Sequence, residues 1–269
     1  VKPFTFKLRH EPSQRVDLSV LTPDRLAGRS IAEIEKISIG VTRQPICVGD
    51  VFAVSEGDLK LLCFEGGSSR FDLIGAKLLP GFTIEVNGDV GAQVGRLAFG
   101  GKITINGSAG AFAASGNAGA EIDIKGDVGD FLAGPLAGEL AGMSGGRVIV
   151  RGAAGVRAGD RLRRGLIVIE GDAGDALGAR MIAGTMIVLG ATQGRVGYLN
   201  KRGTLALARG RDFGATYLDC GAHHFTFAGL LARSLQRTSA EAAQLLLSKL
   251  QKFGGDTSVY GKGEILTPL

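Results

Sequence analysis

Tryptophan is absent from the 269 residues, and aromatic residues together make up only 6%. A core without large rings must be narrow and filled by small aliphatics. Cysteine is scarce as well. Cys47, Cys63 and Cys220 lie far apart and form no metal-spacing pair. Their odd number, and the lack of a secretory pattern in the opening residues, lead us to expect the reducing cytosol. No apolar run approaches the ~20 residues that a membrane span requires, so no membrane partner is expected. Catalytic signatures are missing too: there is no HExxH, no GxSxG and no Cys cluster. Cys220 with His223 and His224 is the nearest approach to a metal motif. Only His10 remains as a further imidazole, too few for a four-ligand site, and no metal is assigned.

Glycine, by contrast, is abundant, with 44 residues, and it is periodic. Between Thr83 and Gly210 a phrase recurs: apolar residues at alternate positions, then Gly. It reads Ile84-Glu85-Val86-Asn87-Gly88, Ile103-Thr104-Ile105-Asn106-Gly107, Ile122-Asp123-Ile124-Lys125-Gly126, Val148-Ile149-Val150-Arg151-Gly152, Ile167-Val168-Ile169-Glu170-Gly171 and Met186-Ile187-Val188-Leu189-Gly190. The anchor glycines are 19, 19, 26, 19 and 19 residues apart, and a degenerate seventh copy ends at Gly210. Alternation with period 2 is a strand with one buried face. Glycine at the anchors reads as tight-turn punctuation through positive φ. A strand returning at this period leaves too little chain for a crossover helix. A meander would show short hairpins instead. The fold predicted is all-β: a right-handed parallel β-helix, a solenoid of ~19-residue coils, with an N-terminal cap and C-terminal helices. Ile84, Ile103, Ile122, Val148, Ile167 and Met186 should stack inside it, beside Val86, Ile105, Ile124, Val150, Ile169 and Val188. No helical pattern follows the glycine turns, so a phosphate or dinucleotide cradle is not expected, and no cofactor-binding residue is assigned.

Three regions follow: a capping region over 1–50, the β-helix over 51–214, and a coil end with helices and tail over 215–269. Thr22-Pro23-Asp24 reads as a helix start, while Ile31 to Ile37 is open between helix and strand. The long spacing marks an insertion of about seven residues around Phe131 to Gly145, and in a solenoid such insertions bulge on one face. Thr238-Ser239-Ala240-Glu241 reads as a capping box, Leu245, Leu246 and Leu250 as the apolar face of the following helix, and Gly254-Gly255 as its stop. That helix should cover the solenoid's open end or dock on another subunit.

Two surfaces stand out. Three residues before each anchor, the first coils carry Glu85, Thr104 and Asp123, and the later ones Ile149, Val168 and Ile187. A strand apolar on both faces is covered on both. The C-terminal helices are one covering. We expect instead an apolar subunit interface at Ile149, Val168 and Ile187, joined by the insertion. The second surface is basic. The net charge is +5, yet Arg147 to Asp212 holds 12 Lys and Arg against 5 Asp and Glu. Arg157 and Arg195 fall five residues after their anchors, Arg161 and Arg180 nine, and Arg163-Arg164 and Lys201-Arg202 eleven and twelve. They should line one corner, either as a solvated repulsive edge or as a dock for an acidic partner or polyanion. Nucleic acid is not expected, because Tyr198 is the single aromatic in the stripe.

The Ile-x-Ile-x-Gly-Asp-x-Gly coils, the stretch from Gly142-Met143-Ser144-Gly145-Gly146-Arg147 to Gly155, and the closing Gly261-Lys262-Gly263-Glu264-Ile265 resemble the C subunits of formylmethanofuran dehydrogenases. The likeness covers Val48 to the C-terminus. It is greater to the bacterial homologues, the C subunits of formyltransferase/hydrolase complexes of methylotrophs. The coils also resemble the C-terminal β-helix domain of glutamate synthase, a part of a much longer chain. The resemblance implies a non-catalytic subunit in a hetero-oligomer with a formyltransferase subunit, an amidohydrolase-like subunit and a further one. Such a complex converts formyl-tetrahydromethanopterin to formate through a methanofuran-type carrier. The carrier bears a polyglutamate chain, which a basic corner could guide. The archaeal relatives use a tungsten or molybdenum dehydrogenase instead. Two readings from other classes compete: a carbohydrate-active β-helix enzyme, which needs clustered carboxylates on an outer ribbon, and a standalone polyanion-binding module. Asp89, Asp127 and Asp172 beside their glycines look like turn-formers rather than such a cluster.

Overall fold

A computed structural model describes residues 2–210 and 213–269. Arg211 and Asp212, which the sequence counts in the basic stretch, lie outside the described residues. The elements in order are β1 (Pro3–Leu8), β2 (Val16–Asp17), α1 (Pro23–Leu26), α2 (Ile31–Glu35), α3 (Val48–Val51), β3 (Phe52–Ser55), β4 (Asp58–Glu65) and β5 (Phe71–Asp72). The repeats supply β6 (Thr83–Asn87), β7 (Lys102–Ile105), β8 (Glu121–Ile124), β9 (Arg147–Val150), β10 (Leu166–Ile169), β11 (Thr185–Val188) and β12 (Thr204–Leu207). The chain closes with β13 (Leu218–His223), α4 (Thr226–Leu235), α5 (Ala240–Leu247), β14 (Leu250–Gly255) and β15 (Gly263–Pro268).

Thirteen strands form one mostly parallel sheet in the order β13-β14-β15-β12-β11-β10-β9-β8-β7-β6-β4-β1-β3. Its register is the one the repeat imposes. Ile84 pairs with Ile103, Ile103 with Ile122, Ile122 with Val148, Val148 with Ile167, and Ile167 with Met186. The column runs on to Leu205 and Ile265, so β15 from the tail extends the parallel series beyond the seventh copy. Val86, Ile105, Ile124, Val150, Ile169 and Val188 form the neighbouring column, and all twelve side chains are buried. A second series of parallel bridges, Val90 to Ala109, Val128, Ala154, Ala173 and Thr192, keeps step with the first.

The anchor glycines owe their identity mainly to close approach rather than to φ. A Cβ on Gly107 would sit 2.5 Å from the backbone of Gly88, and one on Gly171 2.6 Å from that of Gly152. Only Gly88 among the six anchors has a left-handed φ. Stacked backbones leave no room for a methyl group there. Positive φ belongs instead to the glycines seven residues after the anchors, such as Gly178 at +63°.

One cluster of aromatics fills the first end of the sheet, and a second, Phe213 with Tyr217 and Phe253, lies at the other. Phe6 stacks on Phe64 at 4.9 Å, and Phe52 lies 5.2 Å from Phe71. β1 pairs in parallel with β4 and antiparallel with β3, which ends the sheet there. α1 starts after Thr22 with Pro23 in its first turn, as predicted. The open stretch at Ile31 is helical, and Ser30 and Glu33 form a reciprocal capping box.

The C-terminal part departs most from expectation. α4 and α5 do not close the end. They lie along the outer face of β9 to β12, where Ile149, Val168, Ile187 and Ala206 share a second apolar core with Ala228, Ala232, Leu235, Ala242, Ala243 and Leu246. Ile149 is 3% exposed and Val168 and Ile187 0%, so the expected apolar subunit interface at these three residues is covered by the chain's own helices. The alanines make this possible by letting a helix backbone approach the sheet closely. The capping box at Thr238 to Glu241 does not form. Ser239 is the N-cap, and its hydroxyl donates at 2.7 Å to Glu170, just past the end of β10. Gly254 and Gly255 lie in β14, which pairs antiparallel with β15, rather than stopping a helix.

An ionic clamp fixes the α4–α5 connection. Arg151 donates to Glu170 Oε1 at 2.6 Å, to the Thr238 carbonyl at 2.6 Å and to Asp123 at 3.2 and 3.3 Å. Burial alone would push the Asp123 carboxyl up. Hydrogen bonds from Lys125 and Arg151 outweigh it and hold the group below the usual carboxylate range.

Candidate functional site

After each parallel bridge the chain turns through left-handed residues, and these set the site. The positions five residues after the anchors carry Gln93, Phe112, Phe131, Arg157, Ala176 and Arg195. Five of them, all but Arg195, have positive φ, between 58° and 65°. Such a backbone costs an L residue about 1–2 kcal/mol. Each repeat recovers stability by bonding to the next: Arg157 N–H donates to the Asp175 carbonyl at 2.8 Å and Arg161 N–H to that of Ala179 at 2.9 Å. Repeat stacking therefore places these side chains one above another. The Phe112 and Phe131 rings stack at 4.9 Å with planes 8° apart, and the Arg157 guanidinium continues the column 5.3 Å from the Phe131 centroid. The aromatic pair escaped the sequence reading, although its five-residue offset is that of Arg157 and Arg195.

Beside the column lies Asp160, with a side chain only 3% exposed. Arg180 binds it through Nε at 3.0 Å and Nη2 at 2.5 Å, and Arg157 reaches it at 3.4 Å. Arg157 Nε is buried without a hydrogen bond among the described residues. A groove of about 410 Å³ opens over these groups, walled by Phe112, Phe131, Arg157, Arg161, Arg180 and the insertion residues Pro135 to Gly138. A second, of about 360 Å³, shares Arg157 and Arg180 with it and continues to Arg195 and Tyr198. Arg195 rests over the Tyr198 ring at 5.4 Å. Four guanidinium groups thus line the two grooves, and only Arg157 and Arg180 reach the one carboxylate there, Asp160, an arrangement suited to an anion with flat or apolar parts.

The other predicted basic residues stand apart from these grooves. Arg163, Arg164 and Arg202 are exposed, and Lys201 lies 5.9 Å from the Tyr260 ring. The ladder therefore divides into a groove-lining set, Arg157, Arg161, Arg180 and Arg195, and an outer set. The insertion, expected beside the apolar strands, instead overhangs the arginine corner. Its Glu139 accepts from Arg96 at 2.6 Å and from Leu136 N–H at 2.8 Å, and its carbonyl accepts from Arg161 at 2.9 Å. The hydrogen bond from Arg96 is the main cause holding the Glu139 carboxyl below its usual range.

The aligned carboxylates are engaged in stacking. Asp89 accepts from Ser108 N–H at 2.8 Å, Asp127 from Ala153 N–H at 2.7 Å and Asp172 from Ala191 N–H at 2.7 Å, each one repeat on. In β13, the exposed His223 ring nitrogen lies 2.9 Å from the Cys220 carbonyl oxygen. Among the described residues no group of three or more His, Cys, Asp and Glu is placed to hold a metal, and no helix is long and apolar enough to cross a membrane.

No family model matches the chain. It is 41% identical over 264 residues to the C subunit of the formyltransferase/hydrolase complex Fhc of Methylorubrum extorquens, covering 98% of this chain and 99% of that one. The chain belongs to the family of Fhc C subunits. A chain in a crystal structure of the formyltransferase/hydrolase complex (FhcABCD) from Methylorubrum extorquens in complex with methylofuran superimposes with a TM-score of 0.92. Its identity is 40%, over 98% of this chain and 99% of that one. The likeness to the Fhc family thus spans the repeats, both sheet ends and the covering helices together, rather than the repeats alone.

Proposed function

We propose that this chain is a non-catalytic structural subunit of a formyltransferase/hydrolase complex that converts formyl-tetrahydromethanopterin to formate through a methanofuran-type carrier in the cytoplasm. The observation that carries the reading is the 41% identity over nearly the whole chain to a subunit of such a complex. Its partners are a formyltransferase subunit, an amidohydrolase-like subunit and a further subunit. The same likeness favours a hydrolytic complex over a tungsten or molybdenum dehydrogenase. We read the repeats as coils of a right-handed parallel β-helix over 51–214, and two bridge series in constant step support it. Engagement of Asp89, Asp127 and Asp172 as acceptors for the next repeat speaks against a carbohydrate-cleaving ribbon.

The groove-lining Arg157, Arg161, Arg180 and Arg195, with the outer Arg163, Arg164, Lys201 and Arg202, dock an anionic partner surface or the carrier's polyglutamate tail. Salt would weaken such docking. Co-expression with the three other subunits tests the reading. Four subunits should co-elute, release formate from formyl-tetrahydromethanopterin and retain carrier. The reading is overturned if this chain elutes alone while the other three assemble and work at full rate. Full carrier retention and kinetics in an Arg195→Ala/Arg163→Ala/Arg164→Ala variant at raised salt would remove the tail from the proposal.

A further inference from the structure

We propose that the insertion over residues 135–142 is a rigid prong that seats Leu140 in an apolar, acid-rimmed socket on a partner subunit. This rests on the reading that the chain works in a hetero-oligomer. Leu140 is 89% exposed, the highest value for a large apolar side chain among the described residues. It does not ride on a loose loop. Glu139, its neighbour, holds Arg96 and the Leu136 N–H with its two carboxylate oxygens and takes Arg161 on its carbonyl. Just beyond, Gly142 N–H donates to the Arg161 carbonyl at 3.0 Å, and Met143 N–H to that of Ala133 at 2.8 Å. Met143 itself is fully buried. Glu139, Gly142 and Met143 thus tie the insertion to the repeats on either side, while its apolar tip is left in water.

That combination is unfavourable in a lone chain and suited to docking. A pre-organised anchor loses little entropy when it binds. Burying one leucine side chain contributes about a tenfold to a hundredfold in affinity. The shoulder of the prong defines the chemistry of the socket. Arg163 and Arg164 donate their backbone N–H groups to the Met143 carbonyl at 2.9 and 3.4 Å. Both are exposed, and among the described residues neither guanidinium has an intramolecular carboxylate partner. An apolar tip three residues from the Met143 carbonyl that holds the backbone of two free cations matches a pocket rimmed by carboxylates, which also steers approach.

The test uses the full chain co-expressed with the other three subunits, with native mass spectrometry of the assembly and thermal melting of the free chain. Wild type and Leu140→Met should assemble. Leu140→Asp should weaken assembly by about a hundredfold or more without moving the melt. Arg163→Glu with Arg164→Glu should weaken it by about tenfold, with the loss shrinking as salt is raised. Leu140→Asp assembling as wild type overturns the prong, and so does an effect of Leu140→Asp confined to self-association of this chain. Failure of wild type itself to assemble is a different result, and it removes the proposed function.

Discussion

Val168 decides whether the outer face of β9 to β12 belongs to this chain or to a partner. It is fully buried between Ile149 and Ile187 of the adjacent strands and the helices α4 and α5. Val168→Ala removes two methyl groups from that layer. At about 0.8 kcal/mol each they contribute ~1.6 kcal/mol of transfer free energy. Residual space left by incomplete relaxation adds about another 1 kcal/mol, at ~24 cal/mol per Å³ for some 40 Å³. The isolated chain should lose roughly 2–3 kcal/mol. At an m-value of about 3 kcal/mol/M, that lowers the urea midpoint by about 0.7–1 M. The m-value should stay constant, because the variant still folds to the same surface. Equilibrium urea unfolding followed by circular dichroism of the free chain is the assay. An unchanged midpoint in the free chain, together with lost assembly into the complex, would refute the reasoning. It would mean that α4 and α5 leave this face open and that a partner fills it.

Two further predictions concern the clamp that fixes those helices. Arg151→Met should cost about 2–3 kcal/mol, since hydrogen bonds to charged groups contribute about 1.5–3 kcal/mol and the site is only part-buried; amide exchange at Thr238 and Ser239 should quicken by about tenfold or more, and unchanged protection there would show the clamp to be idle. The depressed pKa of Asp123 gives a stability contribution that is fully present above its unfolded value near 4 and is lost as pH falls through its folded value. The midpoint difference between wild type and Asp123→Asn should therefore be constant from about pH 7 to 5 and shrink below about pH 4, and a difference independent of pH would contradict this assignment.

The repeats were legible in the sequence because strand alternation and one-repeat stacking are local and periodic. Residues four before each anchor can only enter one column and those two before it the neighbouring one, and Ile84 to Met186 and Val86 to Val188 do so in order. The anchor glycines were legible as glycines but not for their reason. Their constraint is the backbone of the preceding repeat, 19 to 26 residues away, which no local turn rule contains. The basic ladder was half legible. Its offsets put Arg157 and Arg195 in one column, but Asp160, Phe112 and Phe131 became part of the site only through contacts between repeats.

What the sequence by itself determined was the inward face. Alternation of period 2 fixes which side chains are buried, and a constant period fixes which of them meet. The outward face was decided by tertiary structure alone. An apolar outer residue such as Val168 states that something covers it, but any apolar surface serves, because the hydrophobic effect has no direction. The alanine faces of α4 and α5 fit closely enough to take that place, and Arg151 and Ser239 tie them there. The same holds for the tail and the insertion. β15 found its place by pairing with β12, and the insertion by the hydrogen bonds of Glu139 with Arg96 and Arg161. Both depend on partners distant in the chain, whose nearness only the folded molecule supplies.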